Sequence, residues 1–302
     1  MDEMPTDPIE KALDLLCDKY IFPDRATAAA AAVRARRDAG EYSDLDDETL
    51  ASRLTAQLYE MCRDKHLSIR VRSAELPGQP TEEQMLAAQR EWSRRHNYGV
   101  AKVERLEGNV GYIEIHHVTD PGQGGPAIAA AMQLVAHTDA LIIDLRLNGG
   151  GMPDGVAFWH SYLFPDSETH LNDIYDGPTG TTRQYWTLPY VPGPRYLDRP
   201  VFVLIGPETF SGGEEFCYNL KAHGRATLIG QTTGGGAHPT MGLPISATLD
   251  ITVPYARAIN PITGTNWEGT GVEPDLVVPV EDALKVAHEK ALQAIRSSTS
   301  GG

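Results

Sequence analysis

One serine, Ser211, stands in the stretch Gly206-Pro-Glu-Thr-Phe-Ser211-Gly-Gly-Glu-Glu215, between an apolar run and a helical one. The run Pro200-Val-Phe-Val-Leu-Ile205 has the length and composition of a strand buried on both faces. Glu214 to His223 has the spacing of a helix. A hydroxyl at such a junction is free of the core, and Gly212 and Gly213 leave their N–H groups open at the positive end of the helix dipole. This arrangement suits nucleophilic attack, with an oxyanion held beside the attacking oxygen. The same residues also spell an ordinary helix start, with Ser211 as N-cap and Glu214 as capping-box partner three positions later. Local sequence leaves both readings open, and partners elsewhere must decide.

A second glycine-rich turn follows the apolar run Leu141-Ile-Ile-Asp-Leu-Arg146, in Asn148-Gly-Gly-Gly151. Three consecutive glycines permit a tight turn that offers N–H groups to an anion. Neither a Gly-Lys-Ser/Thr ending nor a GxGxxG spacing is present, so a nucleotide site is weakly supported. Asp144 and Arg146 fit an internal ion pair holding the turn better than a chemical role.

These residues need elements to position them. Residues 8–21, 24–39 and 45–62 have helical spacing and read as a three-helix bundle, with Ala28 to Ala32 as a close-packing face. His66-Leu-Ser-Ile-Arg-Val71 alternates as a half-exposed strand. A polar stretch, Ser73 to Pro80, and a charged helix, Thr81 to Arg95, follow. From Tyr98 strands alternate with helices, which implies a layered α/β domain with a largely parallel core. A hairpin-like pair near 243–255 and a helix over 281–296 complete it. The expected organisation is 1–72 bundle and first strand, 73–97 connector, 98–296 α/β domain and 297–302 flexible tail.

The chain has 302 residues, 41% hydrophobic and 22% charged, as an ordinary globular protein does. Its formal charge of −15 argues against nucleic acid or an anionic membrane as partner. Cys17, Cys62 and Cys217 show no pairing or metal-ligand spacing and read as buried free thiols, suiting a reducing compartment. The acidic start Met1-Asp-Glu-Met-Pro is unlike a secretory signal, and no segment reaches transmembrane length, so a cytoplasmic location is expected. The histidines His116, His117, His223, His238 and His288 fall at no metal-ligand spacing, and no metal or cofactor is expected.

Three motifs, in order, carry a family resemblance: Asp64-Lys-His66-Leu-Ser, Asp144-Leu-Arg-Leu-Asn-Gly-Gly-Gly151 and Thr209-Phe-Ser211-Gly-Gly-Glu-Glu215. Gly230-Gln-Thr-Thr-Gly-Gly-Gly236 and Trp267-Glu-Gly-Thr-Gly-Val-Glu-Pro-Asp275 support them. Together they resemble the tail-specific, carboxyl-terminal-processing serine peptidases and their relatives, the tricorn core protease and the modules of interphotoreceptor retinoid-binding protein. The resemblance implies a ClpP/crotonase-like α/β fold behind the helical bundle. It makes Ser211 the nucleophile, with an oxyanion hole from the N–H of Gly212 and one from the Gly149-Gly150 turn. Ser-Lys members carry a lysine 25 positions after the serine, where this chain has Gly236, so that dyad is absent. The tricorn-like branch takes a histidine from the start of an early strand, which His66 matches. It also takes a glutamate about 57 positions beyond the serine, which is Glu268. His66 would then be the general base and Glu268 an orienting group. Those members have a serine just before the histidine; here Lys65 stands there and is expected to contact a substrate carboxylate. His238, after the Gly234-Gly-Gly236 turn, is expected to line the substrate groove. Residues 73–97 are too few for the PDZ domain that recognises peptide tails in much of the family.

Without the resemblance, His66 also reads as a strand-end histidine, and Glu268 as a cap for the turn that Gly269 and Gly271 imply. The leading expectation is a serine peptidase acting on peptide or protein through an acyl-enzyme, with a homo-oligomer among the assemblies open to it. The alternatives are a non-proteolytic module for apolar ligands such as retinoids or fatty acids, and a recruited biosynthetic enzyme acting on a small molecule.

Overall fold

The computed structural model describes residues 7–72, 82–165 and 168–299. The polar stretch Ser73 to Pro80 lies outside them. In chain order the elements are α1 (Pro8–Lys19), α2 (Pro23–Asp38), α3 (Asp47–Cys62), β1 (Ser68–Val71), α4 (Glu82–Arg95), β2 (Val100–Leu106), β3 (Val110–Ile115), α5 (Pro121–Val135), β4 (Ala140–Asp144) and α6 (Pro153–His160). There follow β5 (His170–Asp176), β6 (Thr181–Trp186), β7 (Val201–Ile205), α7 (Gly212–Ala222), β8 (Thr227–Gly230), β9 (Thr240–Pro244), β10 (Leu249–Pro254), β11 (Ala256–Ile259), β12 (Leu276–Val277) and α8 (Ala283–Thr299). Helix α8 takes up residues 297–299, which the sequence assigns to a flexible tail.

The described residues divide into two compact units. The first takes the chain up to Met85 and adds Ile174–Arg183 and His238–Ala258, two segments from far along the sequence. Helices α1 and α3 start at Asp7 and Asp46, whose carboxylates accept the N–H of Ile9 and Thr49. Their apolar stripes, Ile9, Leu13 and Leu16 on one and Leu50, Leu54 and Leu58 on the other, close on Ala26, Ala29, Ala30 and Val33 of α2. Of the alanine run, Ala29 and Ala30 form this packing face, while Ala28 and Ala31 are exposed. Strand β1 adds itself antiparallel to the β9–β10 hairpin, with Ile69 opposite Ile251, and Leu67, Ile69, Leu249, Ile251 and Val253 join the helical core. The Thr55 hydroxyl of α3 accepts the Ile69 N–H at 2.8 Å and ties helix to strand. His66 precedes β1, in a turn rather than in the strand.

The second unit is built on a six-stranded sheet, ordered β12-β8-β7-β4-β3-β2, parallel throughout except for the antiparallel β2–β3 pair. Strands β4 and β7 are buried along their whole length, which explains their unbroken apolar runs. Helix α8 lies on one face through Ala283, Ala287 and Ala291, small residues at four-residue spacing that let it approach Ile142, Leu204 and Ile229. Strands β11, β5 and β6 form a third sheet in that order, and within each of them the chain passes from one unit to the other. Of the three cysteines, Cys62 and Cys217 are buried as expected and Cys17 is exposed; all three are free thiols. Cys17 sits on the outer face of α1, where helical spacing alone did not reveal its exposure. Among the described residues no helix is long and apolar enough to cross a membrane.

Candidate active site

Parallel strands end side by side, so the turns after β4 and β7 meet at one edge of the second unit. They are stitched together by hydrogen bonds. The Thr209 hydroxyl donates to Leu145 O (2.8 Å), and Phe210 N–H donates to Asn148 O (2.9 Å). Asn148 is fully buried; its Nδ2 donates to Ile115 O and its Oδ1 accepts Gly150 N–H, both at 2.9 Å. Below the turn, Arg146 holds Asp144 through two nitrogens and donates to Val280 O, so this pair is the structural brace that the sequence suggests.

Ser211 opens α7 with φ 52° and ψ −120°. An ordinary N-cap sits in the extended region, where a serine is relaxed. Here the serine is held in a left-handed conformation that costs of order 1–3 kcal/mol and persists only when its surroundings impose it. Those surroundings are tight. A Cβ on Gly212 would lie 2.7 Å from Gly151 O and 2.8 Å from Gly151 N, so only glycine lets the two turns approach this closely.

The donor arrangement differs from the expected one. Gly149 N–H donates to His116 O (3.2 Å) and Gly150 N–H to Asn148 Oδ1, so both expected oxyanion donors on this turn are already engaged. Gly212 N–H and Gly151 N–H make no hydrogen bond among the described residues, and they lie beside the serine.

Glu214 is the hub of this region and fully buried. Its Oε2 accepts Ser211 N–H (2.9 Å) and Gly236 N–H (2.8 Å); its Oε1 accepts the Thr233 hydroxyl (2.5 Å) and Gly235 N–H (2.6 Å). Burial pushes this carboxyl up from its ordinary pKa, and the four donors, which favour the charged form, pull against it. The next residue, Ala237, donates its N–H to Glu268 Oε2 (2.5 Å), and Trp267 Nε1 donates to Gly236 O (2.8 Å). A continuous set of bonds therefore runs from Ser211 through Glu214 and the 235–237 turn to Glu268.

The remaining expected residues, Lys65, His66 and His238, belong to the first unit. Lys65 is exposed in the turn before β1, and His66 is half-buried beside it. Burial lowers the His66 pKa to about 4, Asp64 pulls it back up, and His238 and Arg70 lower it further. The imidazole is thus neutral at neutral pH. His238 does not line a groove: it is 4% exposed, its Nδ1 lies 2.6 Å from Asp64 Oδ2, and its ring packs edge-on against Phe22. Asp64 is 1% exposed and also accepts the Tyr20 hydroxyl (3.2 Å) and His66 N–H (3.1 Å). Asp64 opens the first family motif but has no role in the resemblance; an acidic residue two positions before a candidate base is the sequence signal for it.

Comparison with known proteins fits this geometry. Residues 109–278 match the profile of peptidase family S41, and residues 4–97 match that of the N-terminal domain of peptidase S41 in eukaryotic IRBP. The chain belongs to peptidase family S41. A carboxy-terminal-processing protease of Bartonella bacilliformis is 28% identical over 179 residues, 58% of this chain and 40% of that protein. A tricorn protease of Thermoplasma volcanium is 30% identical over 181 residues, 58% of this chain and 16% of that protein. The chain thus matches less than half the length of these curated relatives. Among solved structures, a putative peptidase from Parabacteroides merdae superposes with a TM-score of 0.66 at 18% identity, over 96% of this chain and 97% of that one. A tricorn protease superposes with a TM-score of 0.58 at 14% identity, over 95% of this chain and 36% of that one. These two likenesses show the fold, an α/β domain with N-terminal helices.

Proposed function

We propose that this S41 member is a serine peptidase in which Ser211 is the nucleophile, His66 the general base and Glu268 the orienting carboxylate. The observation that carries the reading is the strained Ser211, with the uncommitted N–H groups of Gly212 and Gly151 beside it. The family supplies the reaction class, and the names of the two curated relatives suggest peptide or protein as substrate.

In this mechanism His66, neutral above about pH 4, takes the Ser211 proton as the oxygen attacks a peptide carbonyl. The tetrahedral oxyanion is met by Gly212 N–H, as the resemblance implies, and by Gly151 N–H in place of a donor from the Gly149-Gly150 turn. The imidazolium returns the proton to the leaving amine, and water, deprotonated by the same imidazole, releases the acyl group from Ser211. Lys65 offers a cation for a substrate carboxylate. The reading requires the imidazole of the first unit and the hydroxyl of the second to meet during the reaction.

The test is labelling of the purified chain with a fluorophosphonate, with the modified residue located by mass spectrometry. The expected result is one adduct, on Ser211, lost in Ser211→Ala and slowed by about 100-fold or more in His66→Ala. Absence of labelling on intact Ser211, or peptide cleavage that survives Ser211→Ala, overturns the reading.

A further inference from the structure

A base that becomes cationic in a buried setting needs a counter-charge, because burial penalises the imidazolium that proton transfer creates. Within the first unit the charged and titratable groups that act on His66 are Asp64, His238 and Arg70. Asp64 alone among them is acidic. One of its carboxylate oxygens lies within 4.8 Å of a His66 ring nitrogen, and Oδ1 also accepts the His66 backbone N–H. Such a carboxylate acts twice, fixing the turn that carries the imidazole and opposing the charge it acquires.

A carboxylate this deeply buried must itself be satisfied, since it only accepts hydrogen bonds. Asp64 has three donors: His66 N–H, the Tyr20 hydroxyl at the end of α1, and the His238 ring at 2.6 Å. An acceptor-only partner fixes the proton of His238 on Nδ1. His238 comes from 174 positions further along the chain and is itself packed against Phe22, away from solvent. Nothing about this placement suits substrate contact; all of it suits clamping Asp64.

We propose that Asp64 is the positioning and counter-charge residue of His66, and that His238 and Tyr20 hold Asp64 in place. The proposal rests on His66 being the base for Ser211. It separates two roles that the sequence merges, because it removes His238 from the substrate groove and places it two contacts behind the reacting atoms.

The experiment measures fluorophosphonate labelling of Ser211 in the full chain, separating the limiting rate from the probe's binding constant, for wild type and five variants. Asp64→Asn keeps the shape and one acceptor but removes the charge. It is expected to lower the limiting rate by about 10- to 100-fold while leaving probe binding within about twofold. His238→Asn keeps an N–H where Nδ1 stood and is expected to stay within about threefold of wild type at neutral pH, with its acid limb moved to higher pH. His238→Leu removes the donor and is expected to fall with Asp64→Asn, and Tyr20→Phe to lie between. His66→Ala is the control for the underlying reading: a wild-type labelling rate in that variant means His66 is not the base. With that control passed, a wild-type rate in Asp64→Asn overturns the proposal. So does equal loss in His238→Asn and His238→Leu, since a donor alone then fails to rescue. Where thermal unfolding shows that Asp64→Asn does not fold, the His238 pair and Tyr20→Phe decide, and equal rates in His238→Leu, Tyr20→Phe and wild type refute it.

Discussion

Glu215 follows Glu214 on α7 but meets the opposite environment, and its ionisation gives the second unit a measurable pH dependence. It is 4% exposed, and its Oε1 has no hydrogen-bond partner among the described residues. The same holds for both amide atoms of Asn172 and for Nδ2 of Asn219 one turn along the helix. Burial drives the Glu215 pKa from 4.5 up to about 8; the Asn172 amide offsets part of this without reaching hydrogen-bond geometry, and the charge of Asp154 adds to it. Glu215 is therefore a neutral acid at pH 7, unlike the four-donor carboxylate beside it.

A carboxyl whose pKa rises on folding binds its proton more tightly in the folded chain. Stability is then lost as pH climbs between the unfolded and folded values, from 4.5 to about 8. At about 1.4 kcal/mol per pH unit, the loss reaches about 1 kcal/mol at pH 5 and about 3 kcal/mol at pH 7, and it levels off at about 5 kcal/mol above pH 9. Glu215→Gln has nearly the shape of the neutral acid, with an NH₂ group in place of the single O–H donor and the carbonyl acceptor kept, and does not titrate. Urea unfolding of both proteins, followed by circular dichroism in steps from about pH 5 to about pH 9, gives the difference between them, in which other titrating groups cancel. The variant is expected to gain on wild type by about 4 kcal/mol across that range, most of it between pH 5 and 8. A difference that stays constant with pH, or that narrows as pH rises, refutes the assignment of a neutral Glu215.

Labelling of Ser211 in wild type is expected to hold level from pH 8 down to about 5 and to halve near pH 4, as His66 protonates; a midpoint near 6.5 would mean that burial does not depress this imidazole. Gly149→Ala, where an added Cβ meets nothing within 4 Å, is expected to label within about threefold of wild type, since its N–H serves His116 rather than the substrate. Gly212→Ala forces a Cβ to 2.7 Å from Gly151 O and is expected to abolish labelling; if Gly149→Ala abolishes it too, the assignment of the oxyanion donors is wrong. Glu214→Gln turns an amide N–H₂ toward two of the four donors on this side chain and is expected to slow labelling about tenfold or more, with thermal unfolding reporting the accompanying loss of stability.

What the sequence made legible follows from which interactions are local. The apolar runs of β4 and β7 announce themselves because both faces are buried, and the glycine triplet after β4 announces a close approach. The pairing of β1 with β10 was not legible, because the partners Ser68 and Thr252 lie 184 positions apart and no short-range pattern encodes their register. His238 was misplaced for a related reason. It follows the 234–236 turn in sequence, so it was read with that turn, but the chain enters the first unit at this residue, where the buried Asp64 needs a donor. The open donor on the glycine turn is likewise not legible. Which glycine N–H stays open depends on the Asn148 side chain and the His116 carbonyl, and neither shows in a glycine count.

The two readings of Ser211, helix cap or nucleophile, turn out not to compete, and Glu214 shows why. Its Oε2 accepts Ser211 N–H as a capping box requires, yet the serine is not in the relaxed extended conformation of an ordinary cap. Holding a non-glycine residue at φ 52° costs of order 1–3 kcal/mol. A hydrogen bond to a charged group returns about 1.5–3 kcal/mol, so the single bond from Ser211 N–H is of the size needed to offset the strain. The other three donors keep the carboxylate from turning away, and two of them belong to the turn that leads through Ala237 to Glu268. The capping signature is thus the means by which a strained serine is held at the head of α7, and the same four bonds tie its geometry to that of Glu268.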